Sequence, residues 1–399
     1  MKYLAILGRQ PKISLAELES LFSDVEFFGG NLALFSSDKK PEIARLGGTV
    51  KLARPLTISP EKYLLDLDFD GKFVIGVSDY SKNASERKSQ MLALKIKRVL
   101  KKEGRSVRVL ENKAADLSTA TVFHNQLGEK PGHFELIKYN NTWYVGIGVQ
   151  NINAYRDRDQ NRPARDAKNG MLPPKLAQIL INLCGPLKPG ATVLDPFCGT
   201  GVVLQEAILM GYRGYGTDIS ERIVGFAQKN LEWLVSESQN TSSRSLARSC
   251  PSLRDSLRKD APVVARCSLE ECFALSVADA TSFTWEQPID AVAFEGYLGP
   301  PMSQPPVEIK LKTVMSEIKP LYHNVLKNLS GQLKSGAPVV MAVPAWLRSD
   351  GRYQRLNLLD EIEELGYNVI KYNNLSQEDL LYFRDGQIVA REIIVLRKK

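Results

Sequence analysis

Asp195-Pro196-Phe197-Cys198-Gly199-Thr200-Gly201 is the stretch of this 399-residue chain best suited to chemistry. The residues before it, 192–195, read as a buried strand and residues 202–210 as a helix, so both glycines fall where a strand of an open α/β sheet turns into a helix. Ligands of such sheets bind at that edge, and a bare glycine backbone comes close to a ligand where a Cβ would collide. A dinucleotide fits less well, because the third glycine of its fingerprint falls at Leu204 and Asp195 would face a pyrophosphate. An acid at that place attracts a cationic sulfonium and an amino group instead. Asp218 ends the next strand, 17 residues after Gly201, where it can accept both ribose hydroxyl hydrogens. Asp279 ends the third strand and can accept from an adenine amine. Each acid taken alone could cap the helix that follows it. Three acids at three successive strand ends, around one glycine turn, point to S-adenosylmethionine.

The elements that must hold these residues follow from pattern. Alternating strand and helix signals from residue 192, with strands near 214–219, 276–279, 289–294 and 338–344, give a doubly wound sheet. The closing segments 380–383 and 388–396, joined through Asp385-Gly386, read as a terminal antiparallel hairpin. Residues 236–270, rich in Ser and Arg, read as a flexible insertion. Ahead of this lies a small α+β unit, with the capping-box pattern Ser14-Leu15-Ala16-Glu17 opening its helix. A second unit follows, with a helix opened by Asn83 or Ser85 and running through Lys102. Its apolar stripe is Met91, Leu92, Leu94, Ile96, Val99 and Leu100. The divisions are 1–58, 59–152, a polar linker 153–174, and a catalytic domain 175–399.

Fifty-three basic against 45 acidic residues leave a net charge of +8, which favours a polyanionic partner. The helix of the second unit concentrates that charge in Lys88, Lys95, Lys97, Arg98, Lys101 and Lys102. A solvated face would look the same, but the scarcity of acids there favours a phosphate-tracking surface, with Lys97, Arg98 and Lys101 as RNA-binding candidates. No apolar run reaches the roughly 18 residues of a membrane span, and the start of the chain is charged too soon for a signal peptide. A cytoplasmic protein without a membrane role is expected. The five cysteines have no Cys-x-x-Cys spacing and only three histidines for company, so no metal site is expected.

The glycine motif resembles the D-P-F-x-G-T-G motif of amino-group methyltransferases that modify RNA and DNA. More widely, the chain is similar to the THUMP-associated tRNA guanosine-10 methyltransferase family. The similarity rests on Tyr3 to Pro11 with Leu15-Ala16-Glu17-Leu18, on Arg162-Pro163-Ala164-Arg165-Asp166 with Gly170 to Ala177, and on Gln387 to Ile393. It covers nearly the whole chain outside residues 236–270 and is loose over 60–150. It implies an α/β class I methyltransferase fold, Rossmann-like, with a mainly parallel seven-stranded sheet. An α+β N-terminal half, ferredoxin-like over 1–58 and THUMP-like over 59–152, would precede it.

The resemblance also implies S-adenosylmethionine held by Asp195, Pro196, Gly199, Gly201, Asp218 and Asp279, and tRNA or another structured RNA as partner. At the fourth strand end the family carries D-P-P-Y, whose acid and proline carbonyl accept from an exocyclic amine while the aromatic ring stacks on the flipped base. This chain has Phe294-Glu295-Gly296-Tyr297 there. Either Glu295 or Phe294 occupies the acid position. Glu295 is preferred as acceptor and proton sink, with Tyr297 as the stacking ring and Gly296 beside the base. The expected activity is methylation of the 2-amino group of a guanosine in tRNA. The alternatives are adenine amino-methylation of DNA or RNA, and a non-catalytic RNA-binding protein that keeps the fold.

Overall fold

The structure, a computed structural model, describes residues 1–166, 171–239 and 269–399. It divides into two compact units: residues 1–11 with 22–152, and residues 12–21 with 153–399.

In the first unit, β1 (Lys2–Leu7), β2 (Ser23–Gly29), β3 (Leu32–Ser36), β4 (Thr49–Pro55), β5 (Phe73–Asp79), β6 (Val107–Val109), β7 (His133–Tyr139) and β8 (Thr142–Val149) form one sheet. Its order is β2-β3-β1-β4-β8-β7-β5-β6. The strands of residues 1–58 and 59–152, expected as separate domains, therefore meet edge to edge where β4 pairs antiparallel with β8. A buried polar clasp fixes that register. Lys51 Nζ donates to Glu135 Oε1 (2.7 Å) and to the Leu117 carbonyl (2.6 Å), while Ser78 Oγ donates to the same Glu135 oxygen. Every partner in it is hydrogen-bonded, as burial requires.

Helix α1 (Pro11–Leu21) belongs from Lys12 onward to the second unit. It begins at Pro11, not at the expected Ser14 cap. Ser14 and Glu17 lie inside it and are buried, and Glu17 accepts from Asn182 Nδ2 at 2.7 Å. The remaining helices of the first unit are α2 (Pro60–Leu65), α3 (Glu86–Lys102) and α4 (Thr119–His124). Ser85 caps α3, which seats a narrow stripe of Ser89, Ala93, Ile96 and Leu100 on the sheet. Met91 and Leu94, expected in that stripe, are exposed, because they lie off the 3.6-residue face that the smaller residues define.

In the second unit α5 (Ile152–Gln160) bonds to α6 (Pro174–Leu183) and α7 (Val202–Leu209), which with α8 (Glu221–Gln239), α9 (Leu269–Cys272) and α10 (Glu308–Ser330) pack on a second sheet. Its strands are β9 (Thr192–Asp195), β10 (Arg213–Asp218), β11 (Phe273–Val277), β12 (Ala291–Glu295), β13 (Pro338–Leu347), β14 (Tyr353–Arg355), β15 (Tyr367–Val369), β16 (Leu381–Tyr382) and β17 (Val389–Lys398). The main path runs β11-β10-β9-β12-β13-β17-β15. The first five strands are parallel, and β17 inserts antiparallel beside β13. The expected hairpin is the β16–β17 pair, Tyr382 opposite Arg391. Both faces of the sheet are covered, so the strands are apolar without alternation. Val292, Phe294 and Met341 pack against Val314, Ile318 and Tyr322 of α10. Ala291, Ala293 and Val340 pack toward α6 and α7.

The segment 153–166, read from sequence as a linker, is built into this unit. Arg158 forms a buried ion pair with Glu206 of α7, Nε to Oε1 at 2.6 Å and Nη2 to Oε2 at 3.2 Å. Its Ala164 backbone N–H donates to Asn230 of α8 at 2.9 Å. Of the expected insertion, residues 236–239 extend α8 and 269–270 open α9; the residues between lie outside the described ones.

Candidate active site

The parallel strands β11, β10, β9 and β12 bring their carboxyl ends to one edge of the sheet, where Asp218 and Glu295 lie within electrostatic reach of Asp195. Asp195 closes β9 and is buried, its Oδ1 accepting the Phe197 N–H at 3.0 Å, which shapes the turn into the glycine loop. Burial pushes its carboxyl well above the usual carboxylate range, and the Asp218 and Glu295 charges add to the rise. The carboxyl therefore holds its proton more tightly than an ordinary carboxylate, and a cation beside it would favour the ionised form. Pro196, also buried, offers its carbonyl to Thr217 Oγ1 at 3.2 Å and so fastens the loop to β10.

Asp218 closes β10. Its Oδ2 accepts the Gly199 N–H at 3.2 Å and its Oδ1 the Ser220 N–H at 2.9 Å. A carboxylate has about four acceptor sites, so Asp218 keeps capacity for two further donors. Gly199 (φ +51°) and Gly201 (φ +83°) both adopt left-handed backbone, but for different reasons. A Cβ on Gly199 would meet nothing closer than 3.9 Å, leaving its backbone open on that side. A Cβ on Gly201 would stand 3.3 Å from Ala227 of α8. The sequence reading assigned both glycines to ligand approach; for Gly201 the reason is helix packing.

Asp279 lies two residues beyond β11. It is exposed, and its Oδ1 accepts from the Thr281 N–H (2.9 Å) and Oγ1 (2.7 Å), which hold its carboxyl below the usual range. That carboxylate caps a turn, as the plainer reading allowed. Two features of this edge carried no sequence signal. Ile219 is 75% exposed and Val277 51%, and each is an uncovered apolar side chain beside an acid. The register pairs Asp218 with Val277, so they flank the same spot. Asn230 is the second feature. Its Nδ2 donates to the Thr200 carbonyl (2.9 Å) and the Ala164 carbonyl (3.0 Å), binding segment 162–166 to the glycine loop.

Phe294 and Glu295, the two residues that could occupy the acid position, end β12. Phe294 is fully buried and packs its ring on Phe197 at a centroid distance of 5.5 Å, so it cannot serve as the polar acceptor. Glu295 closes the strand with its side chain largely covered and paired with Arg391 of β17: Arg391 Nε donates to Oε1, and Nη2 lies 3.5 Å from Oε2. Burial raises the Glu295 carboxyl, and Arg391 pulls it back. The expected proton sink is thus a carboxylate already engaged by a cation, better suited to accepting hydrogen bonds than to taking up a proton. Gly296 is buried against α10, where a Cβ would stand 2.5 Å from the Tyr322 ring, and Tyr322 Oη donates to the Tyr297 carbonyl at 3.0 Å. Gly296 thus supports the loop. The Tyr297 ring is 52% exposed. Lys97, Arg98 and Lys101 lie on α3 of the first unit, Lys97 half-buried and the others exposed.

A sheet in this strand order with its penultimate strand reversed, and with carboxylates at the ends of neighbouring parallel strands around a left-handed glycine turn, defines the class I methyltransferase fold. Residues 162–347 match the RMKL-like methyltransferase domain family, and residues 75–229 a DNA methylase family. The chain is similar to a tRNA (guanine(10)-N2)-dimethyltransferase of Methanothermobacter thermautotrophicus, 29% identical over 178 residues, which are 45% of this chain and 40% of that relative. A protein of the same name from Pyrococcus abyssi is 47% identical over 91 residues, 23% of this chain and 27% of the relative. The matches therefore span less than half the length of either relative. The crystal structure of TrmN from Thermus thermophilus aligns over 100% of both chains at 17% identity with a TM-score of 0.48. Among the described residues no helix is long and apolar enough to cross a membrane.

Proposed function

We propose that the protein is an S-adenosylmethionine-dependent methyltransferase acting in the cytoplasm on the 2-amino group of a guanosine in tRNA. The observation that carries this reading is the convergence of Asp195, Asp218 and Glu295 on one edge, close enough that Asp218 and Glu295 both raise the Asp195 carboxyl. Glu295 already has Arg391 as a partner; a further cation would offset the crowding of Asp195 with Asp218, and the open Gly199 backbone with exposed Ile219 and Val277 suits a nucleoside. When bound, the cofactor supplies an electrophilic methyl group on a cationic sulfonium. Asp195 holds negative charge near that cation, Asp218 has acceptor capacity for ribose hydroxyls, and Asp279 for an adenine amine. Glu295 accepts from the exocyclic amine of the target base, whose lone pair is conjugated and weakly nucleophilic. Tyr297 offers an uncovered ring for stacking. Rate enhancement comes from this positioning more than from acid–base chemistry.

The similarity to two tRNA (guanine(10)-N2)-dimethyltransferases supports guanosine in tRNA as the substrate. The cationic face of α3, with Lys97, Arg98 and Lys101, supports a phosphate-backbone grip. One observation favours a second reading, an RNA-binding protein that keeps the fold: the Arg391 partner reduces the basicity of Glu295. Incubation with methyl-labelled cofactor and unmodified tRNA, followed by nucleoside analysis, separates the two. Label in N2-methylguanosine is the expected result; none in any nucleoside overturns the enzyme reading.

A further inference from the structure

Arg391 lies on β17, two strands away from Glu295 in the sheet, across β13. It is 5% exposed, and its guanidinium takes one site on each Glu295 oxygen. Such a pair fixes the rotamer of the acid and opposes the rise that burial imposes on its carboxyl. The other groups facing Glu295 reinforce the need for it. Asp195 at the end of β9 is a second acid within electrostatic reach, and Tyr322 of α10 lies close enough to feel the Glu295 charge. Without Arg391, the Glu295 carboxyl would be a buried acid beside another acid and would take up a proton. A protonated carboxyl donates as well as accepts, whereas an ionised one only accepts.

We infer that Arg391 is a positioning residue that sets base specificity: by keeping both free acceptor sites of Glu295 available and no donor among them, it makes the site take a nucleobase edge bearing two adjacent N–H donors. The guanine edge, N1–H beside the 2-amino group, has that pattern. The adenine edge sets a 6-amino donor beside an acceptor nitrogen, which an ionised carboxylate meets with repulsion. The inference rests on the proposed reaction and adds to it the group that makes the acid an obligate acceptor.

The test compares wild type with Arg391→Met, Arg391→Lys and Glu295→Gln. In cofactor-free protein carrying carbon-13 carboxyl-labelled glutamate, the Glu295 signal is assigned by its loss in Glu295→Gln and then titrated. Arg391→Met is expected to move that titration to higher pH, with Arg391→Lys between it and wild type. An unmoved midpoint overturns the inference. Methyl transfer from labelled cofactor is then measured on two short RNA hairpins, whose loops present a single guanosine or a single adenosine. Arg391→Met is expected to lose guanosine transfer on the acid side, about tenfold for every pH unit by which the midpoint rises. It should recover that transfer at alkaline pH and lose preference for guanosine over adenosine. Equal loss at every pH with an unchanged preference would make Arg391 merely structural and overturn the inference. If Arg391→Met does not fold, Arg391→Lys carries the same two readouts. If wild type methylates neither hairpin nor bulk tRNA, the proposed function falls and the specificity inference with it, whereas a failed carboxyl titration removes the inference alone.

Discussion

At Asp218 one side chain has two tasks: each oxygen accepts a backbone N–H, from Gly199 and Ser220, and each retains acceptor capacity toward the open edge. Replacing Asp218 with Ala removes the ribose acceptors and one anchor of the glycine loop. Hydrogen bonds to a charged group contribute about 1.5–3 kcal/mol each, so S-adenosylmethionine affinity should fall by roughly a hundredfold or more in calorimetry. Unchanged affinity would place the cofactor elsewhere. Asp195 makes a different prediction. Its carboxyl is raised by burial and by the neighbouring charges of Asp218 and Glu295. A bound cation favours the ionised form, so protons compete with the cofactor. Affinity should therefore weaken as pH falls through the range in which this raised carboxyl takes up its proton, and Asp195→Asn should flatten that dependence. A wild-type affinity that is constant across this range would show that Asp195 does not titrate against the ligand.

The elements that carry these residues are held by contacts far apart in the chain. Helix α10 supports the loop after β12 through Tyr322, which fills the space over Gly296 and binds the Tyr297 carbonyl. A methyl group at Gly296 has no room, so Gly296→Ala should cost about 1–3 kcal/mol in urea unfolding and displace Tyr297. A fully stable variant would mean that α10 shifts freely. Helix α5 is joined to α7 by the Arg158–Glu206 pair, both partners buried. Glu206→Gln removes the carboxylate from this buried ion pair and should cost about 3–5 kcal/mol, readable as a lower thermal midpoint. No change would mean that Arg158 finds another partner.

Across the whole molecule, the excess of positive charge is the property that bears on RNA. Two of the three α3 candidates, Arg98 and Lys101, are exposed, and Lys97 is half-buried. Substituting all three with Ala should weaken tRNA binding, with a log–log salt slope shallower by about two to three. Cofactor affinity should not change. An unaltered slope would move the RNA grip away from α3.

How much of this was legible in the chain depended on whether the signal was local. The glycine turn, Asp195 and Asp218 at their strand ends, and the order of strands and helices could be read from residues 192–279, because strand ends and the turns after them are set by neighbours in sequence, whereas Asp279 lies two residues past its strand. The start of α1 misled because its Ser and Glu serve tertiary burial and not a cap, and the linker misled because its charges are buried by partners at 206 and 230. Chemical type alone favours Glu295 over Phe294, but the cation that holds it could not be read. Residues 295 and 391 are 96 positions apart, and only the insertion of β17 beside β13 brings them together. Sequence thus determined which chemical groups stand at the strand ends, since strand and turn propensities act over a few residues. The tertiary structure alone decided their charge state and partners, because burial and ion pairing depend on what the folded sheet packs beside them.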